Sequence, residues 1–158
     1  MSIWQDSNGG LHDDMNGAAL ALPSWPQDMT QLTDAQAAAI QDPPLTLAQA
    51  QGAQLALMDS AYATAVAAPI GYLGTTFQAD QASQVLIAGV LTACGGALPS
   101  GFTWYDINNV AVPVTFAQLQ GFAAAILLRG QPLFVHCQSL KATIRAATTV
   151  AAVQAVVW

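Results

Sequence analysis

The sequence predicts an α+β chain, mostly α-helical, with small antiparallel hairpins packed on the helices. Three observations carry that expectation. Alanine-rich runs with helical apolar spacing follow Thr or Asp caps. Short β-branched and aromatic runs are bounded by Gly, Asn and Pro. A 4-3-4-3-4-3-4 apolar spacing runs through Leu119, Ala123, Ile126, Gly130, Leu133, Cys137, Leu140 and Ile144. The expected organisation is a small hairpin plus short helix over 1–44, a candidate attachment segment. A connecting helix over 45–68 and a C-terminal domain over 69–158 follow it.

Taken in order, "IWQDSNGGLHDD" (3–14) reads as a hairpin, because Asn8, Gly9 and Gly10 accept left-handed backbone cheaply. Trp25 lies between Pro23 and Pro26 in an irregular segment. A helix over 32–41 is capped by Thr33 or Asp34 and stopped by Pro43-Pro44. The helix over 45–68 starts at Thr46 and carries Leu47, Leu55, Met58, Tyr62 and Val66 near one stripe. Pro69 and Gly71 end it. Residues 73–79 read as a strand. Together with a hairpin of 102–106 and 110–115, turning at Asn108-Asn109, they make an expected three-stranded element. Pro113 places the last arm at an edge.

A helix over 80–94 begins at Asp80 and closes at Gly95-Gly96. Thr115 caps a helix over 116–146. Pro132 should kink it, yet the apolar phase is the same on both sides, which argues for one long helix bent near that residue. A closing helix over 148–158 ends in Trp158.

Composition limits the function. All 9 acids are Asp, the 3 cations are Arg129, Lys141 and Arg145, and the net charge is −6. Nothing is available to neutralise phosphates, so no nucleic acid is expected, and no anionic membrane surface. The apolar content is 54%. The uncharged stretch 107–128 is nevertheless interrupted by Asn, Gln, Thr and Pro, so no membrane span is expected either. No basic segment leading into an apolar core opens the sequence, so no secretion signal is expected. Cys94 and Cys137 then read as reduced packing residues. A surface covered by Gln, Asn, Ser, Thr and Ala suits a subunit of an assembly, or a compositional habit of the source.

Chemistry is sparse. "DSNGGLHDD" starts like a calcium loop but lacks its glycine at position six and its terminal Glu. His12, Asp13 and Asp14 are neighbours that point to opposite faces of a strand. His136 and Cys137 diverge by about 100° on a helix. No catalytic residue, cofactor or metal site is expected, and the chain is read as no enzyme. Asp80 is read as a structural cap, its carboxylate accepting from the first turn, with Ser83 placed to return a weaker bond. The candidate interface residues are Trp4, Trp25, Trp104 and Tyr105. In 102–106, Trp104 alternates with Phe102 and Asp106 on one side and Thr103 and Tyr105 share the other, so one of these faces should be core.

The order "YLGTTFQADQASQ", "FTWYDINNVAVPVTFAQLQGF", "LKATIRAATTVAAVQAV" resembles a phage domain found near the C-termini of tail-fibre assembly proteins and related small tail proteins. The likeness covers about 70–158, with a looser one in the W-x-D-x-x-G hairpin and L-T-D-x-x helix before it. It implies a phage tail-type domain at 69–158 that binds and does not catalyse. The implied partners are the tail-fibre protein or other tail subunits, with a homotrimer as a candidate state. The implied role is assembly chaperone or retained virion subunit, in the tail or in the host cytoplasm during assembly. The chain departs from that pattern in its scarcity of Lys, Arg and Glu and in Pro132. A charge-poor surface fits a retained subunit better than a free chaperone. The rival readings are a glycan-binding receptor module using Trp104 and Tyr105, and a membrane-active lysis protein.

Overall fold

A computed structural model describes residues 2–158 and has an α+β fold. The chain forms two compact units, Met1–Leu45 and Thr46–Trp158.

In the first unit, β1 (Ile3–Gln5) pairs antiparallel with β2 (Leu11–Asp13) in the register Trp4 to His12. The turn is built as its residues suggest. Asp6 Oδ1 accepts from the Asn8 and Gly10 amides at 2.8 Å, and Gly9 takes φ +87°. A third strand was not foreseen: β3 (Thr30–Gln31) pairs with the other edge of β1. Two residues are too few to show a period, so only the pairing reveals them. Trp4 and Trp25 meet edge to face at 6.3 Å, and both are half-buried. Thr33 caps α1 (Asp34–Gln41) in a full capping box with Gln36.

The second unit is organised on one helix. Its elements are α2 (Leu47–Ala67), β4 (Ile70–Tyr72), β5 (Thr75–Phe77), α3 (Gln81–Cys94), β6 (Thr103–Tyr105), β7 (Ala111–Pro113), α4 (Phe116–Ala146) and α5 (Val150–Gln154). Thr46 and Thr115 cap α2 and α4 in capping boxes with Gln49 and Gln118. The 31 residues of α4 run through Pro132 as a single helix, about 46 Å long at 1.5 Å per residue.

The stripe along α4 serves two cores. Leu119, Phe122 and Ile126 pack with Phe77, Ala79 and Ile87 from the hairpin and α3. Beyond Pro132, Cys137 and Ile144 pack with Ala50, Met58, Val153 and Val156 from α2 and the C-terminal segment. A shared apolar phase across a proline is what a helix needs to bury one continuous side against two neighbours.

Three expectations are corrected. Residues 73–79 are not one strand: β4 and β5 form a hairpin with Leu73-Gly74 as its two-residue loop, both at positive φ (51° and 80°). The predicted three-stranded element of 73–79, 102–106 and 110–115 is therefore two separate two-stranded hairpins. The Ile107 amide joins them, donating to the Thr76 carbonyl at 2.9 Å, as does the Thr75 hydroxyl, donating to Asp106 Oδ2 at 3.0 Å. The closing helix 148–158 shrinks to Val150–Gln154, capped by Thr149. The Val156 carbonyl instead accepts from the Gln54 amide on α2, and Val156 is buried.

The scarce cations tie α4 to α2. Arg129 donates to the Val66, Ala68 and Pro69 carbonyls at the end of α2, and Lys141 pairs with Asp59. Gln51 returns the arrangement, donating from α2 to the Ile144 and Ala147 carbonyls at 3.1 and 3.2 Å, where α4 ends.

Candidate protein-interaction surface

Asp80 opens α3. Its φ of −66° and ψ of 171° are those of an N-cap, and its carboxylate accepts from the Ser83 amide at 2.8 Å. That hydrogen bond is the first reason its carboxyl lies below the ordinary value of 3.8. Gln84 reaches back from the first turn and donates to the Ala79 carbonyl at 2.8 Å. Gly95, at φ 55°, closes the helix in the left-handed conformation. Asp80→Ala should melt a few degrees lower with its helical signal intact at room temperature, as checked by circular dichroism. An unchanged melting curve would contradict the capping role.

The β6–β7 hairpin is held by a second aspartate. Asp106 is only 8% exposed. Its Oδ1 accepts from the Asn108 and Val110 amides at 2.8 Å, while Oδ2 takes the Thr75 hydroxyl. Asn109 turns the chain at φ 58°, a conformation Asn tolerates. The Val110 amide is the largest of the influences that hold the Asp106 carboxyl below 3.8, its ordinary value. A depressed folded-state pKa stabilises the fold above the unfolded value and loses that contribution as pH falls through the folded one. Acid titration of the folded chain should therefore show a destabilising limb below pH 3.8. Asp106→Asn keeps an acceptor oxygen and loses the titration, so it should flatten part of that limb. An identical limb in the variant would contradict this.

Between α3 and this hairpin lies an open cavity of about 410 Å³. Trp104 and Tyr105 divide as strand alternation requires. Trp104 is half-buried, packs against the Phe77 and Phe122 core, and stacks on Phe102 at 6.4 Å. Tyr105 points outward, 59% exposed, opposite Leu86 of α3, 61% exposed, on the same cavity wall. Gln78, Ser83 and Asn109 give it a polar rim. Exposed Ile107 and Val110 extend the apolar surface over the hairpin tip. Apolar and aromatic groups beside amide and hydroxyl side chains and the hydrogen-bonded Asp106 carboxylate make a surface suited to another protein.

The residues singled out in the sequence are thus only partly brought together. Trp104 and Tyr105 line one cavity, Asp80 is not in its wall and only caps the helix that brings Ser83 there, and Trp4 and Trp25 belong to Met1–Leu45. Leu86 and Val110 were missed. The available signal was the run Val85-Leu86-Ile87, three adjacent apolar residues on a helix, of which only Ile87 is buried. Among the described residues no three or more His, Cys, Asp or Glu side chains converge as metal ligands would. No described helix is long and apolar enough to cross a membrane.

No curated protein and no solved structure matches the chain. Residues 49–157, from the first turn of α2 to the penultimate residue, match the family model described as a domain of unknown function, DUF4376. The chain belongs to that family.

Proposed function

We propose that the chain is a non-enzymatic phage tail protein that binds the tail fibre, as an assembly chaperone or as a subunit kept in the virion. The order of motifs from Gly74 to Trp158 suggests the setting. The observation that carries a binding role is the exposed Tyr105–Leu86 surface, held rigid by Asp106 and floored by a packed aromatic core. The charge pattern favours a lasting contact. Thr46–Trp158 holds 3 Asp against 3 Lys+Arg, a net charge of zero. Its cations Arg129 and Lys141 are engaged internally.

The test is co-purification of the full chain with the tail-fibre protein, together with its detection in purified virions. Leu86→Gln with Tyr105→Ala should leave the circular dichroism spectrum unchanged and reduce capture at least tenfold. Capture unaffected by the double variant would refute this surface. Absence from both virions and fibre complexes would refute the function. Tyr105 exposure also favours a second reading, a host-glycan site, in which Tyr105→Ala alone would abolish signals on a glycan array and fibre capture would be absent.

A further inference from the structure

We infer that the Tyr105–Leu86 surface takes an extended peptide segment of its partner, free of Asp and Glu, which lies between α3 and β6 and adds to β6 as a third strand. This rests on the binding reading of that surface, and it holds whether or not the partner is the tail fibre.

The hydrogen-bonding capacity of β6 is half used. The Asp106 amide donates to the Val110 carbonyl at 3.0 Å. Bonded and non-bonded pairs alternate along an antiparallel ladder. Trp104–Val112 is therefore the next bonded pair, and Tyr105–Ala111 and Thr103–Pro113 turn their backbone groups outward. Among the described residues no strand pairs with β6 on that side. The opposite edge of the hairpin is blunted, because Pro113 has no amide proton to offer.

The open edge of β6 is one wall of the cavity already described. Five consecutive residues, Phe102–Asp106, line it, and none of Ala111–Pro113 does. A strand's face would contribute every second residue, whereas its edge contributes all of them. The facing wall is Ser83, Leu86 and Val90. Their spacing of three and four puts them on one stripe of α3. The β6 wall spans about 13 Å at 3.3 Å per residue, and the α3 stripe about 10 Å at 1.5 Å per residue. A strand edge and a helix of similar length, with an open channel between them, accept three or four residues of extended chain. Backbone bonds to Thr103 and Tyr105 hold the segment, and its alternate side chains lie over Leu86 and Val90.

Charge selects the sequence of the segment. Asp106 is the one ionised group in the cavity wall, and Asp80 caps the helix that carries Ser83. The Val110 amide for Asp106 and the Ser83 amide for Asp80 are the main causes that hold both carboxyls below their ordinary value, so both are charged at neutral pH. No described Lys or Arg lines the cavity, and Arg129 and Lys141 are engaged with α2. The whole chain carries −6. A complementary segment has Lys or Arg beside its apolar residues. A second copy of this chain does not meet that need, because none of β1–β7 contains Lys or Arg.

A display library of random peptides of about eight residues, selected on the full chain, should enrich aliphatic residues at alternate positions with Lys or Arg, and exclude Asp and Glu. The selected peptide should then be synthesised in two forms, each N-methylated on one alternate set of amides. One form should lose about tenfold in affinity and the other should keep it, because only every second amide faces β6. On binding, the Thr103 and Tyr105 amides should gain protection from hydrogen exchange. Leu86→Lys, at an exposed site, should keep its circular dichroism spectrum and bind about tenfold more weakly. No enriched peptide, an acidic consensus, equal loss from both methylated forms, unchanged exchange at Thr103 and Tyr105, or full binding by Leu86→Lys would each overturn the inference. Peptides that behave as expected support it even if the fibre protein is not captured. Fibre capture with no selected peptide overturns the strand addition and leaves the fibre reading standing.

Discussion

Phe122→Ala should destabilise the Thr46–Trp158 unit by about 3–5 kcal/mol, the largest effect expected of any single substitution here. Phe122 is 2% exposed at the centre of the aromatic core. Tyr72 stacks on it at 5.5 Å and Phe77 meets it at 5.1 Å. The walls of the void could not collapse freely. Tyr72 is fixed by its hydroxyl, which donates to the Gln118 carbonyl at 2.9 Å, and its phenol lies over Gly121, where a side chain would collide with it. Phe77 sits in a strand bonded to the Ile70–Tyr72 arm. Urea denaturation followed by tryptophan fluorescence measures the loss directly. Phe122→Leu, which keeps most of the volume, should lose less than half as much. A cost below about 1 kcal/mol for the alanine variant would mean that the core closes over the gap, against the rigidity attributed to it. Because Trp104 rests on the same cluster, Phe122→Ala should also weaken partner capture through the Tyr105 face.

Arg129→Met is the second large effect, about 2–3 kcal/mol. The last carbonyls of a helix have no intrahelical donor, and Pro69 removes one more by lacking an amide proton. Arg129 meets that need from another helix. Its Nη1 donates to the Ala68 and Pro69 carbonyls at 2.6 and 3.2 Å, and its Nη2 to Val66 at 2.7 Å. A positive charge is also favoured at the negative end of the α2 dipole. Methionine keeps the apolar stem and loses the cap. Arg129→Lys should recover under half of the loss, because one ammonium cannot reproduce the two-pronged geometry. The measurement is again denaturation, with hydrogen exchange at 60–68 as a local readout. Full rescue by lysine would show that charge alone suffices.

The parts of the fold legible in the sequence are those where one physical demand dominates. The long helix was readable across Pro132 because burying one side against two cores requires a constant phase, and that phase survives a single lost hydrogen bond. The caps Thr46, Asp80 and Thr115 were readable because they satisfy a local need of the backbone, and the structure chooses Thr33 over Asp34 for the first helix. The hairpin at Leu73-Gly74 was not. Leucine at positive φ carries no turn signal, and the strands on either side imposed it. The shortening of the last helix depends on Gln54, about a hundred residues earlier, which no local window contains.

The same division holds for the candidate surface. Alternation separated the two faces of 102–106, but which face is core depends on where the hairpin packs. The structure turns Trp104 in and Tyr105 out. Leu86 gained meaning only when α3 and the hairpin tip came to share one cavity. Trp4 and Trp25 meet edge to face in the first unit, where Trp25 also meets the His12 ring.

The most direct measurement of the binding claim is hydrogen–deuterium exchange of the full chain, alone and with the tail-fibre protein. Added protection is expected at 83–90 and 102–110, the two segments that frame the Tyr105–Leu86 surface, with little change at 140–158. Uniform exchange with and without the fibre protein, or protection confined to 3–31, would contradict it.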